Sequence, residues 1–563
     1  MDDHPWFAHY DAGVPHHLEY PEIPLSGFLE EAARKMPNAA CTIFKGARIS
    51  YRKMDRLTGR IAAGLASLGL KQGDRVGILM PNCPQFVMAY FGILKAGGVV
   101  VALNPLYGPR EIEHMVNDAG VKLMFVMSNY YLKLKAIQPQ TPLKTLIVTN
   151  IKETLPGVLR TLFSLTREEK EGFRVRLQAG DRWLNEVIER RASVERPRLK
   201  INPDDPAIFQ YSGGVTGVSK AAVATHRSLV ANTLQVSAWF VTAEPGKEIM
   251  LMAIPMFHVY GMVAGMCQAI RLGAAMIMVP NPRDLEDLLS SIEIYQATLL
   301  PGVPTLYNAI NNYPGVRDGL FKLNSLKGCL SGSAPLMHET KDKFERLTGA
   351  RLFEGYGLSE APTATHCNPL LGLAKTGSIG LPLPDVDARI LSLDDEVTPL
   401  LPGEIGELVL RGPQVMKGYH NLPSETANAL RDGWLYTGDI AYMDEDGYFF
   451  IVDRKKELIK PGGYQVWPRE VEEVIMENPK VLEAAVAGVP DPYRGETVKA
   501  WVVLKPDETA TEEDIRQWCR DRMARYKVPT FVEFRDELPK TQLVGKLLRR
   551  ELVSQHKQAL GLA

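Results

Sequence analysis

The stretch from Tyr211 to Lys220 reads YSGGVTGVSK and contains three glycines, three small hydroxyl residues and one lysine. Its glycines let successive backbone N–H groups approach an anion closely, and its hydroxyl residues add donors. Lys220 adds a mobile positive charge suited to phosphate. Apolar runs flank the stretch on both sides, so a plain hairpin between two strands is the alternative. Lys220 lies three residues after Gly217 and precedes an alanine, a spacing that excludes the loop of a P-loop NTPase.

Length and composition predict a multidomain globular protein. The chain has 563 residues, 45% of them hydrophobic and 23% charged, and a formal net charge of −1. This length predicts two or more domains, and the near-zero net charge gives no indication of nucleic acid binding. Six cysteines without a CxxC pair indicate reduced thiols in the cytoplasm. The acidic N-terminus lacks the apolar core of a secretion signal.

One apolar segment imitates a membrane span. Residues 249–270 carry no formal charge and are long enough to cross a bilayer. Pro255, His258 and Gly261 interrupt the segment, which divides into a strand, a loop and a helix. We therefore predict that it is buried core.

The order of elements predicts an α/β protein with doubly wound sheets. Helix and strand signals alternate over residues 49–127 and again over 201–365. Short strands separated by Pro-Gly and Asp-Gly turns over 377–450 predict a small β-barrel subdomain. A charged joint, RKKELIK, follows Asp453, and the remainder reads as a small mobile α+β domain. We predict a large domain over residues 1–453 and a small one over 454–563.

Residues 150–200 break the alternating pattern. Leu155–Leu165 reads LPGVLRTLFSL and precedes a dense charge cluster. Such a segment is typical of an amphipathic helix on a membrane surface, or of a surface insertion packed on its own domain.

Five further motifs follow the opening stretch in a fixed order. They are PMFHVYGM (255–262), SGSAPL (331–336), EGYGLSEAP (354–362), GWLYTGDIA (433–441) and VDRKKELIKPGGYQVWPREVE (452–472). Together with YSGGVTGVSK they resemble the adenylate-forming superfamily of acyl- and aryl-CoA synthetases, luciferases and adenylation domains. The resemblance covers roughly residues 45 to 552. NPLYGPREIEHMVNDAG (104–120) and the insertion at 150–200 most resemble long-chain fatty acyl-CoA synthetases.

The resemblance implies an AMP-forming ligase that uses ATP, Mg²⁺ and CoA. A fatty acid carboxylate would attack the α-phosphate of ATP, release pyrophosphate and then pass as acyl to CoA. The opening loop would hold the β- and γ-phosphates, and Glu360 with Thr216 would bind Mg²⁺. Tyr356 would stack on adenine, whereas a lone tyrosine there would read as core. The nucleotide contacts implied are Ser212, Gly213, Gly214, Thr216, Gly217, Gly332, Ser333, Ala334, Tyr356, Gly357, Ser359, Asp439 and Arg454.

The resemblance also implies three catalytic residues and a hinge. Lys220 would bind phosphate, and His258 would line the acyl channel near the carboxylate, although it also fits a core position. Lys546 would supply positive charge in the transition state from the small domain, which must close to bring it in. Lys456 would be the hinge for a second movement, and Gly462 with Gly463 would let the pantetheine arm of CoA pass.

Three departures from the family pattern keep alternatives open. Val215 replaces a threonine, Ser219 and Ala221 replace a proline and a glycine, and one extra residue precedes Gly545. The alternatives are an aryl- or short-chain-acid CoA ligase, and a nucleotide-binding protein with a weakened active site. Homodimer formation and peripheral contact with the inner face of a membrane are further expectations that the sequence leaves open.

Overall fold

The structure is a computed structural model that describes residues 4–189, 199–212, 219–461, 464, 466–541 and 547–560, with the side chain of Ser212 left out. The chain divides into two compact units. The first comprises Met1–Asp387 and Arg411–Leu435, and the second comprises Ala388–Leu410 and Tyr436–Ala563.

Strands and helices alternate through the described chain, and we number them in chain order. Up to residue 189 the strands are β1 (Ala40–Phe44), β2 (Ala47–Ser50), β3 (Arg75–Leu79), β4 (Val99–Ala102), β5 (Leu123–Met127), β6 (Thr145–Thr149) and β7 (Arg182–Trp183). The helices there are α1 (Ser26–Lys35), α2 (Tyr51–Ser67), α3 (Pro84–Lys95), α4 (Pro109–Ala119), α5 (Tyr131–Ile137), α6 (Gly157–Thr166) and α7 (Leu184–Glu189).

From residue 199 the alternation resumes. The strands are β8 (Pro206–Ser212), β9 (Lys220–Thr225), β10 (Ile249–Met252), β11 (Ala275–Met278), β12 (Leu299–Gly302), β13 (Gly328–Ser331), β14 (Arg351–Leu358), β15 (Ala361–Cys367) and β16 (Leu381–Pro382). The helices are α8 (His226–Trp239), α9 (Gln268–Leu272), α10 (Leu285–Tyr295), α11 (Pro304–Asn312), α12 (Pro314–Arg317) and α13 (His338–Thr348), with a π-helix at Tyr260–Cys267.

The remaining elements are shorter strands followed by the α+β region. The strands are β17 (Asp387–Leu391), β18 (Gly406–Arg411), β19 (Gly418–Tyr419), β20 (Leu430–Arg431), β21 (Trp434–Met443), β22 (Phe449–Arg454), β23 (Val481–Asp491), β24 (Gly495–Leu504) and β25 (Phe531–Phe534). The helices are α14 (Pro423–Ala429), α15 (Pro468–Met476), α16 (Glu512–Arg520) and α17 (Arg549–Ala559).

Two mixed sheets form the first unit. One has the order β19-β9-β8-β4-β3-β5-β6-β7, and the other has the order β16-β15-β14-β13-β12-β10-β11-β1-β2. The central strands pair in parallel, β3 to β8 in one sheet and β1 with β10 to β14 in the other. The outer pairs β1–β2, β8–β9, β9–β19, β14–β15 and β15–β16 are antiparallel. Nonconsecutive neighbours joined through helices are the signature of a doubly wound α/β fold, which confirms the predicted class.

The apolar segment that imitated a membrane span is core. It contains β10, the π-helix and α9, and residues from Met262 to Ile270 are almost completely buried. Within the described ranges, none of the helices combines the length and apolar character needed to cross a bilayer.

The second unit contains the predicted β-subdomain and the α+β region. In the subdomain β17 pairs with β18, β18 with β21 and β21 with β22, so the predicted barrel strands form one sheet. In the α+β region β23, β24 and β25 form a three-stranded sheet. Val471 and Ile475 of α15, together with Ile515 and Cys519 of α16, are buried in one core cluster with its strands. Trp501 and Leu552 belong to a second cluster that includes α17.

Candidate active site

An apolar pocket lies in the first unit, with about 550 Å³ of space between protein atoms that includes solvent at its mouth. Motifs singled out in the sequence line one part of it. His258, Gly332, Ser333, Tyr356 and Gly357 all contribute to its wall, although they come from three separate motifs. Most of the remaining wall is apolar and includes Val236, Trp239 and Phe240 from the end of α8, Ala264 and Leu383. The pocket therefore joins a polar part to an apolar part suited to a hydrocarbon group.

The motif EGYGLSEAP places Tyr356 in this pocket through a distortion of the β14–β15 hairpin. The register of the two strands shifts between Tyr356 and Gly357. A Cβ atom on Gly357 would lie 1.5 Å from the carbonyl oxygen of Thr363, so only glycine allows the strands to approach so closely. Tyr356 pairs with His366 across the hairpin, with ring centroids 5.9 Å apart.

The loop after β13 brings backbone groups to the same pocket. Ser333 has a φ of +70°, a left-handed conformation that is uncommon for a residue other than glycine. Gly332 lies over the ring of Tyr260, whose hydroxyl donates to the carbonyl oxygen of Leu330 at 2.6 Å. Ala334 and Ser359 belong to the same two motifs but are not among the lining residues.

His258 begins the segment that turns into the π-helix. Its Nδ1 accepts a hydrogen bond from the backbone N–H of Tyr260 at 3.3 Å, so the neutral ring carries its proton on Nε2. The turn depends on Gly261, because a Cβ atom there would lie 2.3 Å from the carbonyl oxygen of Pro255. π-helices are rare in proteins, and those that occur are often located at functional sites.

A second cluster forms around Lys220 at the start of β9. The Lys220 ammonium pairs with Glu425 of α14 and lies 5.5 Å from the ring centroid of Tyr419. The Tyr419 hydroxyl donates to Oε1 of Glu360 at 2.8 Å. Burial, and then the negative charge of Glu360, raise the pKa of Tyr419, so it stays a donor at neutral pH. One tyrosine thus contacts both the predicted phosphate lysine and the predicted metal ligand.

Glu360 fits the role of a Mg²⁺ ligand. The residue is half-buried, and in the described part of the chain Tyr419 is the one side chain that donates to its carboxylate. An oriented carboxylate with an oxygen not engaged by those residues is the donor type that Mg²⁺ prefers. No group of three or more metal-binding side chains occurs among the described residues.

Asp439 and Arg454 lie in the second unit, where they are cross-strand partners on β21 and β22. Nε of Arg454 is 2.8 Å from Oδ1 of Asp439. Asp439 is only 3% exposed. The two residues that we predicted to contact one sugar are therefore held together.

Several predicted site residues fall on parts of the chain that lie outside the described residues. They are Gly213, Gly214, Thr216, Gly217, Gly462, Gly463 and Lys546. Val215 and Gly545, where departures from the family pattern occur, also lie outside the described residues. The described ends of the opening loop are an antiparallel pair, since Ser212 lies opposite Lys220. The hairpin alternative is thus correct for the backbone at those ends.

Sequence reasoning missed Tyr419, Glu425 and the wall formed by α8. Tyr419 and Glu425 lie between the motifs at 354–362 and 433–441, outside both, and carry no recognisable spacing. The only signal for α8 was that its C-terminal half, LQVSAWF, offers few polar side chains. Val236 and Trp239 are 2% and 1% exposed.

Comparison with known sequences supports the resemblance drawn from the motifs. Residues 29–420 match the AMP-binding enzyme family, and residues 470–544 match the AMP-binding enzyme C-terminal domain. A long-chain-fatty-acid–CoA ligase of Bacillus subtilis is 43% identical over 556 residues, 98% of each chain. A long-chain-fatty-acid–CoA ligase of Escherichia coli O157:H7 is 38% identical over 551 residues, 97% of each chain.

Comparison with solved structures agrees. The ATP-bound MatB of Rhodopseudomonas palustris superimposes with a TM-score of 0.81 at 28% identity, covering 95% of this chain and 100% of that one. The fold and the pocket define an adenylate-forming ligase. Because family matches and relatives extend over nearly the whole sequence, the chain belongs to the AMP-binding enzyme family.

Proposed function

We propose that this protein is an AMP-forming fatty-acid–CoA ligase. It activates a fatty acid with ATP and Mg²⁺ to an acyl-adenylate, releases pyrophosphate and transfers the acyl group to CoA. The observation that carries the proposal is the pocket in which His258, Gly332 and Tyr356 share a wall with Val236, Trp239 and Ala264. The long-chain ligase relatives over the full length support the same substrate class.

The polar part of the pocket positions the nucleotide. Tyr356 presents an aromatic face for adenine, and the backbone at Gly332 to Ala334 contacts its edge. In the second unit, Asp439 accepts from the ribose hydroxyls while Arg454 holds its carboxylate in place. Gly357 and Ser359 shape the loop that leads to Glu360.

The opening loop and Lys220 orient the departing pyrophosphate. Backbone N–H groups at Gly213, Gly214 and Gly217, with the hydroxyls of Ser212 and Thr216, hold the β- and γ-phosphates. Lys220 leaves Glu425 for the phosphates when ATP binds. Glu360 and Thr216 would hold Mg²⁺, which would supply positive charge to offset that of the phosphates.

His258 and Lys546 act at the reacting carboxylate. His258 carries its ring proton on Nε2 and so offers a donor to a carboxylate oxygen. Lys546 offsets the repulsion between that carboxylate and the α-phosphate. Rotation of the backbone at Lys456 then withdraws Lys546 from the reacting groups. The same rotation presents a different surface to CoA, on which Gly462 and Gly463 flank the pantetheine arm.

The test is a pyrophosphate-exchange assay across acids, followed by detection of the CoA thioester. We expect exchange with octanoate and palmitate to exceed that with acetate and benzoate by at least tenfold, because each buried CH₂ contributes about 0.8 kcal/mol. Exchange with benzoate alone would establish the aryl-acid alternative. ATP binding without exchange for any acid would establish the weakened nucleotide-binding protein.

We also propose that α6 contacts the surface of a membrane from the cytoplasm. None of its residues is buried, and Val158, Leu162 and Leu165 are 83%, 54% and 80% exposed. Arg160 and Arg167 provide positive charge for anionic lipid. Co-sedimentation with phosphatidylglycerol vesicles should fall severalfold for Leu162→Ser/Leu165→Ser, and equal binding of both proteins would reject the contact.

We also propose that the protein is cytoplasmic and that it forms a homodimer. The six cysteines are all buried and free, as expected for reduced thiols. Sedimentation velocity tests the homodimer by measuring the mass of the protein in solution.

A further inference from the structure

The short 3₁₀ turn Lys455–Glu457 in the second unit is held by ion pairs on both sides of Lys456. On the upstream side, Nζ of Lys455 lies 2.6 Å from Glu396 and 2.6 Å from Glu407. Glu407, on β18, is 3% exposed and also accepts from the backbone N–H of Gly438 at 3.1 Å. Lys455 is thus anchored to the sheet that carries Asp439.

On the downstream side, Glu457 pairs with Arg549, the first residue of α17. Arg549 also forms a two-pronged contact with Glu472 of α15, with Nε to Oε1 at 3.0 Å and Nη2 to Oε2 at 2.7 Å. Glu472 is 6% exposed, and its Oε1 accepts from the backbone N–H of Val486 at 2.7 Å. The planar guanidinium therefore joins the turn, a helix and, through Glu472, a strand.

Arg549 lies close in the chain to the predicted catalytic lysine. Leu547 forms an antiparallel bridge with Lys540, and the N–H of Leu548 donates to the carbonyl oxygen of Pro539 at 2.9 Å. These contacts fix the chain immediately after Lys546 against the α+β region. Arg549 then connects that fixed point to Glu457, one residue beyond Lys456.

We propose that Arg549 is a positioning residue that makes the chain after Lys546 move together with Glu457 when the backbone rotates at Lys456. Lys455 anchors the upstream side of Lys456 to Glu396 and Glu407. The proposal rests on the proposed function, in which Lys546 serves adenylation and Lys456 is the hinge. It adds that both half-reactions depend on the contact between Arg549 and Glu457.

The experiment uses three test variants, which are Glu457→Gln, Arg549→Lys and the double variant that combines them. The control is Arg550→Lys, which changes the exposed neighbouring arginine. Adenylation is followed by pyrophosphate exchange and transfer by thioester formation from preformed acyl-adenylate. Both half-reactions are measured under conditions in which circular dichroism shows that every variant is folded. We expect kcat to fall about tenfold or more in both half-reactions for Glu457→Gln, with KM for ATP and acid within twofold. The double variant should be no slower than the slower single variant.

Several results would overturn the proposal. They are an unchanged kcat for Glu457→Gln, a loss confined to KM, additive losses in the double variant, or an equal loss for Arg550→Lys. If the proposed function were wrong, the wild-type protein would show no pyrophosphate exchange with any acid. Exchange by the wild-type protein therefore distinguishes a failure of this proposal from a failure of the proposed function.

Discussion

The hydroxyl of Tyr419 donates a hydrogen bond to Glu360 across 2.8 Å, although 59 residues separate them in the chain. The contact orients a carboxylate that we assign to Mg²⁺. The same tyrosine ring lies beside Lys220. The proposed metal and phosphate contacts are thus mechanically connected in the first unit.

The variant Tyr419→Phe removes this donor and keeps the ring. We expect the Mg²⁺ concentration for half-maximal pyrophosphate exchange to rise about tenfold, since loss of such a supporting contact typically costs 10- to 100-fold in metal affinity or activity. Tyr493→Phe, at a residue that is 96% exposed, is the control. An unchanged Mg²⁺ dependence would remove Tyr419 from the metal site.

Glu425 pairs with Lys220 in the structure and must give way to phosphate. Its side chain is 44% exposed, so the pair contributes about 1 kcal/mol or less. We therefore expect Glu425→Gln to lower KM for ATP by up to about fivefold and to leave kcat near that of the wild type. Initial rates over a range of ATP concentrations check this, with Glu477→Gln as the exposed control. A higher KM would mean that Glu425 helps to orient Lys220.

The sequence predicted the elements of the fold well wherever local signals agree. In the alternating region predicted over residues 49–127, α2 runs from Tyr51 to Ser67, and the Ser50 side chain caps its start by accepting from the backbone N–H of Lys53. In the predicted β-subdomain, β18 runs from Gly406 to Arg411. In the predicted α+β region, α16 begins with a capping box at Thr511.

The candidate site was predictable only in part, because its contacts depend on tertiary structure. His258, Gly332 and Tyr356 belong to recognisable motifs and line one pocket. Glu425 reaches Lys220 only because β19, adjacent to α14, is hydrogen-bonded to β9 in the sheet. Hydrophobic periodicity likewise could not distinguish the π-helix from an α-helix, since the segment is apolar on all sides.

Ala264 offers a way to test the apolar end of the pocket. It is 2% exposed and lies on the π-helix among the lining residues. We expect Ala264→Leu to lower kcat/KM for palmitate at least tenfold more than for octanoate, because added methyl groups shorten the space for the chain. Octanoate in the same variant corrects for overpacking, which costs about 1–3 kcal/mol of stability. Ala66→Leu, on the exposed part of α2, is the surface control. Equal losses for both acids would place the acyl chain elsewhere.

Lys546 is assigned to the first half-reaction alone. We expect Lys546→Ala to slow adenylate formation by about 10²–10³-fold, the usual loss for one preorganised electrostatic contact. Transfer from preformed acyl-adenylate to CoA should stay within a fewfold of the wild type. Lys540→Ala, which removes a surface pair with Glu483, is the control. Comparable losses in the two half-reactions would contradict a lysine that withdraws before CoA binds.

His226 makes the stability of the first unit dependent on pH. Its Nδ1 accepts from the backbone N–H of Leu25 at 3.2 Å, and burial lowers its pKa from 6.5 to about 4. The unfolded chain therefore binds the proton more readily, so the stabilisation is complete above pH 6.5 and is lost as the pH falls from 6.5 towards 4. Between pH 7.5 and 5 this one group should cost about 2 kcal/mol. Urea unfolding at the two pH values should show a smaller loss for His226→Gln than for the wild type, whereas His16→Gln, at an exposed histidine, should match the wild type. An identical loss in His226→Gln would mean that other groups govern the acid sensitivity.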